Sequence, residues 1–147
     1  MKTAAIIAEY NPFHNGHKYQ IEETKRQTGA NFIVVVMSGD FVQRGIPAMY
    51  SKTFRTRSAL LSGADLVIEM PIFGTLSAAQ DFARCGVSLF HHMGMIDVLS
   101  FGSESGNIEE LWQLANHSAL ETNEQSALIR EGLRSGLTYP QALTLAK

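Results

Sequence analysis

Residues 32–37 constrain the fold of this chain more than any other stretch. The run reads Phe-Ile-Val-Val-Val-Met, which is apolar at consecutive positions and rich in β-branched residues. A strand of this kind has to be covered on both faces, as helices cover the central strands of parallel sheets. We therefore predict an α/β protein in which residues 31–37 form an inner strand.

Short apolar runs alternate with helical patterns along the rest of the chain. This alternation predicts a right-handed, doubly wound, Rossmann-like parallel sheet, followed by extra C-terminal helices. Capping-box patterns predict helix starts at Ser77, Asn107 and Thr122. We expect a core over 1–106 and a helical extension over 107–147. Predicted strands cover 2–9, 31–37, 65–70 and 96–101, and predicted helices cover 16–28, 51–61, 77–93, 107 onward, 122–134 and 139–147.

The composition is that of an ordinary globular domain. The chain has 147 residues, of which 45% are hydrophobic and 18% are charged, so it can bury a sizeable core. The longest apolar run is too short to span a bilayer, and we expect a cytoplasmic protein without a membrane partner. Residues 1–60 carry eight Lys or Arg against four Asp or Glu, whereas the remainder is acidic. Positive charge therefore gathers in the N-terminal part.

Residues 9–17 read Glu-Tyr-Asn-Pro-Phe-His-Asn-Gly-His and join the first predicted strand to the first predicted helix. His14 and His17 therefore fall at a helix N-terminus, three residues apart, where they can share one face. Exposed N–H groups and the positive end of the helix dipole attract anions there. Gly16 lets a phosphate or a purine approach the backbone closely. This segment is a candidate phosphate site.

Further polar features follow the carboxyl ends of predicted strands, where open α/β sheets bind ligands. One is the glycine-flanked loop 38–47, and another is the loop 102–106. Lys52 and Arg55 begin a helix, where cations oppose the helix dipole unless an anion is close. A phosphate or the carboxylate of Glu69 is a suitable partner for them.

Other classes of site fit the sequence less well. His91 and His92 end a separate apolar helix, and Cys85 has the pattern of a buried helix residue, so we assign no metal site. The Gly-x-Ser-x-Gly elbow, the phosphate-loop motif and the dinucleotide fingerprint are absent from the sequence. The histidine pair by itself still permits several classes of nucleotide enzyme.

Several segments together resemble the bacterial tRNA(Met) cytidine acetate ligase family, within the nucleotidyltransferase superfamily that carries a His-x-Gly-His signature. That signature corresponds to residues 14–17, and the resemblance covers nearly the whole chain. The matching segments are 9–17, 37–39 (Met-Ser-Gly), 42–45 (Val-Gln-Arg-Gly), 51–52 (Ser-Lys), 63–69 (Gly-Ala-Asp-Leu-Val-Ile-Glu) and 101–104 (Phe-Gly-Ser-Glu).

The resemblance implies a nucleotidyltransferase-type fold and an enzyme that activates acetate with ATP to acetyl-adenylate. The acetyl group would pass to N4 of the wobble cytidine of elongator tRNA(Met). Catalytic roles are implied for His14, His17 and Lys52, and Mg²⁺ would arrive with ATP. The implied ATP-binding residues are Ile7, Ala8, Glu9, Tyr10, Asn11, Pro12, Phe13, His14, Asn15, Gly16, His17, Lys18, Tyr19, Gln20 and Gly102. The implied substrate-loop residues are Ser38, Gly39, Gln43, Arg44, Arg55 and Glu69, with Lys52 and Arg55 clamping phosphate or the acetate carboxylate.

Members of this family are considerably longer than this chain. We therefore expect an N-terminal piece of a larger enzyme, whose tRNA-binding region lies mostly outside it. Asp40 departs from the family pattern, and its role is left open. Two alternatives also stay open: a small-molecule nucleotidyltransferase of cofactor synthesis, and a non-catalytic nucleotide-binding fragment.

Overall fold

The computed structural model describes residues 1–43, 45–119 and 123–145. The chain forms two compact units, Met1–Gly102 and Ser103–Lys147. The domains 1–106 and 107–147 inferred from the sequence stay a prediction.

The first unit contains a four-stranded parallel sheet in the order β3-β2-β1-β4. Its inner strand β1 pairs with β2 on one side and with β4 on the other, so that Ala5 faces both Val34 and Leu99. The strands are β1 (Thr3–Ala8), β2 (Phe32–Met37), β3 (Leu66–Glu69) and β4 (Val98–Ser100). The helices are α1 (Asn15–Thr28), α2 (Lys52–Leu61), α3 (Ile72–Thr75) and α4 (Ala79–Met93).

Helices cover both faces of this sheet. On one face, Ile21 of α1 and Ala59 of α2 belong to the same buried cluster as Ile33. On the other face, Phe90 of α4 belongs to a second cluster with Val34. Neighbouring residues of β2 thus point into different cores, which is the reason for its consecutive apolar residues. The doubly wound α/β fold predicted from the sequence is confirmed.

The helix predicted to begin at Ser77 begins at Ala79 instead. The capping box predicted there is wrong, because the Ser77 hydroxyl donates to the main-chain carbonyl of Gly74 at 2.7 Å. Ser77 therefore closes the short helix α3, which the sequence pattern did not reveal. The N-cap of α4 is Ala78, whose side chain cannot accept a hydrogen bond.

All four strands are one to three residues shorter than predicted. Aspartates directly before β3 and β4 bond to neighbouring strands. The carboxylate of Asp65 accepts from the amide N–H of Ile33, and that of Asp97 accepts from the amide of Thr3, each at 2.8 Å. These bonds cap the amino ends of the sheet, opposite the candidate site.

The second unit consists of helices α5 (Ile108–Ala119), α6 (Asn123–Arg134) and α7 (Tyr139–Leu145). Asn107 caps α5 as predicted, since its side-chain oxygen accepts from the amides of Glu109 and Glu110. The cap predicted at Thr122 lies outside the described residues. α6 and α7 pack through Ile129 and Ala142. Across both units, no described helix is long and apolar enough to cross a membrane.

Candidate active site

The first unit brings two loops to one edge of its sheet. Residues 9–14, the first loop, follow β1, and residues 38–51, the second loop, follow β2. Because the strands are parallel, both loops leave from carboxyl ends. The chain also turns from one side of β1 to the other between β3 and β4. A doubly wound sheet binds its ligands in the crevice at such a switch point.

His14 and His17 are held by hydrogen bonds at the start of α1. The amide N–H of Gly16 donates to Nδ1 of His14 at 3.1 Å, and the amide of His14 donates to Nδ1 of His17 at 3.2 Å. The two rings stack with their centroids 3.7 Å apart. Since both Nδ1 atoms accept hydrogen bonds, each neutral ring carries its proton on Nε2. The Nε2–H groups are the donors that this pair can offer to an anion.

Tyr10 supports the histidine pair from within the core. Its ring is 1% exposed and lies 4.8 Å, between centroids, from the rings of both Phe13 and His17. Burial raises the pKa of its hydroxyl, which therefore stays protonated. A Cβ on Gly16 would lie 3.0 Å from Cε1 of His14, so glycine leaves room for the ring. The first loop is thus packed around its two imidazoles.

His17 is neutral at physiological pH. Burial of the ring lowers the pKa of His17 to about 4, and the neighbouring His14 adds to the lowering. A neutral imidazole can still donate a hydrogen bond through its Nε2–H group. It can therefore stabilise charge that develops during a reaction.

We expect the stability contributed by neutral His17 to fall as the pH is lowered. Its folded-state pKa of about 4 lies below the ordinary value of 6.5, so the unfolded chain binds a proton first. The contribution is complete above about pH 6.5 and is lost as the pH falls toward about 4. Urea unfolding of the full-length protein and its His17→Asn variant, at about pH 7.5 and about pH 4.5, measures this.

Asparagine at position 17 is a matched control, because its side-chain oxygen can accept from the His14 amide but does not titrate. The stability advantage of the wild type over His17→Asn should shrink at the lower pH. An advantage of equal size at both pH values would contradict the assignment.

The second loop has internal hydrogen bonds. The amide of Val42 donates to the carbonyl of Ile46 at 3.0 Å, and the amide of Ala48 donates to the carbonyl of Asp40 at 2.9 Å. These bonds fold its middle into a small hairpin-like turn. Arg44, a predicted substrate-loop residue, lies outside the described residues.

Side chains of the first loop bond to the main chain of the second. The carboxylate of Glu9 accepts from the amide of Gln43 at 2.6 Å, and the side-chain oxygen of Asn11 accepts from the amide of Met49 at 2.7 Å. Both residues were predicted as ATP contacts. Oε1 of Glu9 and Oδ1 of Asn11 connect the first loop to the second through these hydrogen bonds.

Arg55 of α2 is completely buried beneath both loops. Its Nη1 donates to the carbonyls of Glu9 at 2.6 Å and Ser38 at 3.1 Å, and its Nε donates to the carbonyl of Tyr50 at 3.0 Å. Its Nη2 donates to the carbonyl of Gly39. Burial lowers the pKa of Arg55. All three nitrogens are used by main-chain groups, which favours a structural role over the phosphate clamp expected from the sequence.

Lys52 lies between two carboxylates at the same edge. Its Nζ donates to both oxygens of Glu69, at 3.0 and 2.9 Å, and lies 3.4 Å from Oδ2 of Asp40. The hydrogen bond to Glu69 raises the pKa of Lys52, which therefore stays charged. A Cβ on Gly39 would collide with Oε1 of Glu69, so glycine permits this approach. An anionic ligand can contact Lys52 here by displacing a carboxylate.

The other predicted contacts lie in different parts of the first unit. Ile7 packs beneath α4, where a Cβ on Gly86 would lie 2.5 Å from its Cδ1. Gly102 follows β4 by two residues and ends the first unit. Tyr19 is exposed on α1. Among the described residues, no three His, Cys, Asp or Glu side chains converge as metal ligands would.

The burial of Arg55 has a sequence signal that our reasoning missed. Arg55 lies four residues before the buried Ala59, on the same face of α2. That spacing placed a cation on the inward face of an amphipathic helix. Nothing local indicated that Glu9 and Asn11 would bond to a loop more than thirty residues away.

Comparison with known proteins decides the family. The sequence profile described as HIGH Nucleotidyl Transferase matches residues 1–147. The chain belongs to this family. Its membership agrees with the His-Asn-Gly-His sequence of residues 14–17.

Within the HIGH nucleotidyltransferase family, the chain is similar to the N-terminal parts of tRNA(Met) cytidine acetate ligases. The ligase of Acetivibrio thermocellus is 45% identical over 142 residues, which are 97% of this chain and 34% of that protein. The ligase of Clostridium novyi is 45% identical over 146 residues, 99% of this chain and 36% of that protein. The chain thus spans about a third of the length of these relatives. The resemblance found in the sequence is confirmed.

Solved structures show the same similarity. The chain matches Thermotoga maritima TmcAL bound with alpha-thio ATP with a TM-score of 0.92 and 36% identity, over 99% of this chain and 35% of that one. The apo form of the same protein gives a TM-score of 0.90 over 99% of this chain and 34% of that one. The predicted nucleotidyltransferase-type fold is confirmed.

Proposed function

We propose that this chain is the ATP-binding, adenylate-forming part of a tRNA(Met) cytidine acetate ligase. The observation that supports this most is the stacked pair His14 and His17 at the switch point of the sheet. The whole chain resembles the N-terminal part of a protein crystallised with an ATP analogue. The start of α1, two Nε2–H donors and a glycine that leaves space beside the His14 ring together suit a nucleotide phosphate.

In the proposed first step, an acetate oxygen attacks the α-phosphorus of ATP. The new P–O bond forms as the bond from the α-phosphorus to the bridging oxygen breaks, and pyrophosphate leaves with that electron pair. Negative charge grows on the phosphate oxygens, to which the Nε2–H groups of His14 and His17 would donate. Residues 7–20 and Gly102 are the proposed nucleotide contacts. Lys52 is the proposed partner of a phosphate or of the acetate carboxylate.

In the proposed second step, the N4 amine of the wobble cytidine attacks the acetyl carbon. AMP leaves, the amine loses a proton, and an N4-acetyl group remains. We assign tRNA binding mainly to the region that the relatives have beyond the matched part, because this chain carries a formal net charge of −2. Mg²⁺ would enter with ATP, held chiefly by phosphate oxygens. Because the proposed substrate is a tRNA, we also propose a cytoplasmic location.

Exchange of labelled pyrophosphate into ATP by the full-length protein tests the proposal. We expect exchange that depends on acetate, and acetylated tRNA(Met) by mass spectrometry when tRNA is added. Exchange that requires a different acid would overturn the acetate assignment. A nucleotide-linked metabolite together with unmodified tRNA would instead support a small-molecule nucleotidyltransferase.

A further inference from the structure

Two long-range hydrogen bonds connect the first loop to the second. Glu9 and Asn11 lie two residues apart, and they accept from the amides of Gln43 and Met49, which lie six residues apart. Both bonds run from a main-chain N–H of the second loop to a side-chain oxygen of the first. They satisfy main-chain donors that a loop cannot pair within a regular ladder.

The bonds sit on either side of the hairpin-like turn in the second loop. Gln43 belongs to the turn itself, in which Val42 bonds to Ile46, and Met49 follows directly after Ala48, which closes it. Arg55 donates hydrogen bonds to both ends of the second loop, at the carbonyls of Gly39 and Tyr50. Arg55 therefore holds the two ends of the second loop, and the side chains of Glu9 and Asn11 hold the part between them.

We propose that Glu9 and Asn11 are positioning residues, whose side chains hold the second loop in its ligand-binding arrangement. This proposal rests on the proposed function, since it names how the same site is assembled. Oε1 of Glu9 and Oδ1 of Asn11 each accept from a loop amide, so within the proposed contacts of residues 7–20 these two side chains act by supporting the second loop.

Loss of a hydrogen bond between the loops should weaken the binding of ATP. If a bond between the loops is lost, the binding-competent arrangement becomes a smaller fraction of the molecules. The apparent affinity for ATP then falls by that fraction, whereas saturating ATP restores the competent state. The Michaelis constant for ATP therefore rises, and kcat stays nearly unchanged. Removing a group that contacts the reacting phosphate would lower kcat instead.

The test uses matched pairs of variants in the full-length protein. Glu9→Gln and Asn11→Asp keep an oxygen acceptor, whereas Glu9→Met and Asn11→Leu remove it at similar volume. Glu22→Met, on the exposed surface of α1, controls for the loss of a carboxylate. The readouts are the Michaelis constant for ATP, kcat, and hydrogen–deuterium exchange of peptides covering residues 40–50.

We expect Glu9→Met and Asn11→Leu each to raise the Michaelis constant for ATP about tenfold and to change kcat by less than about threefold. Hydrogen–deuterium exchange of residues 40–50 should be faster in both apolar variants than in the wild type. Glu9→Gln and Asn11→Asp should recover most of the loss. If one apolar variant does not fold, the other carries the test, because the two variants remove different bonds.

Two results would overturn the proposal. One is hydrogen–deuterium exchange of residues 40–50 that is as slow in the apolar variants as in the wild type. The other is a loss in Glu9→Gln or Asn11→Asp as large as in the apolar variant, since that would make the native group itself the ligand. Hydrogen exchange needs neither acetate nor turnover. A wild type that shows no acetate-dependent exchange of pyrophosphate would therefore refute the proposed function and leave this test intact.

Discussion

Replacing His14 by asparagine should lower pyrophosphate exchange of the full-length protein by about 10²–10³-fold, the cost of removing a donor aimed at developing charge. Asparagine accepts from the amide of Gly16 as His14 does, and it is among the best N-cap residues. It lacks a donor in the position of Nε2. The variant therefore separates the capping role of His14 from its proposed catalytic role.

The companion variant His14→Ala should lose activity to a similar extent and also about 1 kcal/mol of stability, because the cap is lost. His92→Ala, on the exposed last turn of α4, removes a histidine remote from the site and should leave both quantities unchanged. Rates of pyrophosphate exchange and urea unfolding midpoints are the measurements for these variants. A His14→Asn enzyme as active as the wild type would show that His14 only caps the helix.

Replacing Arg55 by methionine should lower the free energy of unfolding by about 3–5 kcal/mol. The side chain is 0% exposed, and its loss leaves buried carbonyls of Glu9, Ser38 and Gly39 without their donor. Methionine fills much of the volume but cannot donate. Urea unfolding of the full-length protein is the measurement.

Arg57→Met is the control, because Arg57 lies on the same helix with its side chain exposed. It should change stability by less than about 0.5 kcal/mol. The stability of Arg55→Lys should lie between those of Arg55→Met and Arg57→Met, since an ammonium cannot reach all four carbonyls to which the guanidinium donates. Equal stability of Arg55→Met and Arg57→Met would contradict the structural role of Arg55.

Local sequence patterns were sufficient for the sheet and for the histidine pair. The β-branched run of β2 predicted burial on both faces, and the structure places Ile33 and Val34 in opposite cores. The position of His14 followed from a strand end and a helix start only a few residues apart. Element ends were less predictable. Ser77 matched a capping pattern, yet its hydroxyl bonds backward to Gly74.

The roles of Glu9, Asn11 and Arg55 could not be predicted in the same way. The spacing of Arg55 from Ala59 indicated an inward-facing cation, but nothing local indicated the groups to which it donates. Its partners come from the ends of two strands and from a loop, and the fold alone brings these together. The sequence therefore predicted these three as site residues, and the structure shows contacts for them that the sequence did not predict.

The sequence by itself determined the doubly wound sheet, the position of the histidine pair and the resemblance to tRNA(Met) cytidine acetate ligases, because these depend on short-range periodicity and on contiguous motifs. Only the tertiary structure decided that Arg55 is a buried support, that Lys52 is held by Glu69, and that the first loop binds the second. Those contacts join segments far apart in the chain. Their energy comes from desolvation and hydrogen-bond geometry, which exist only after the strands have set the loops side by side.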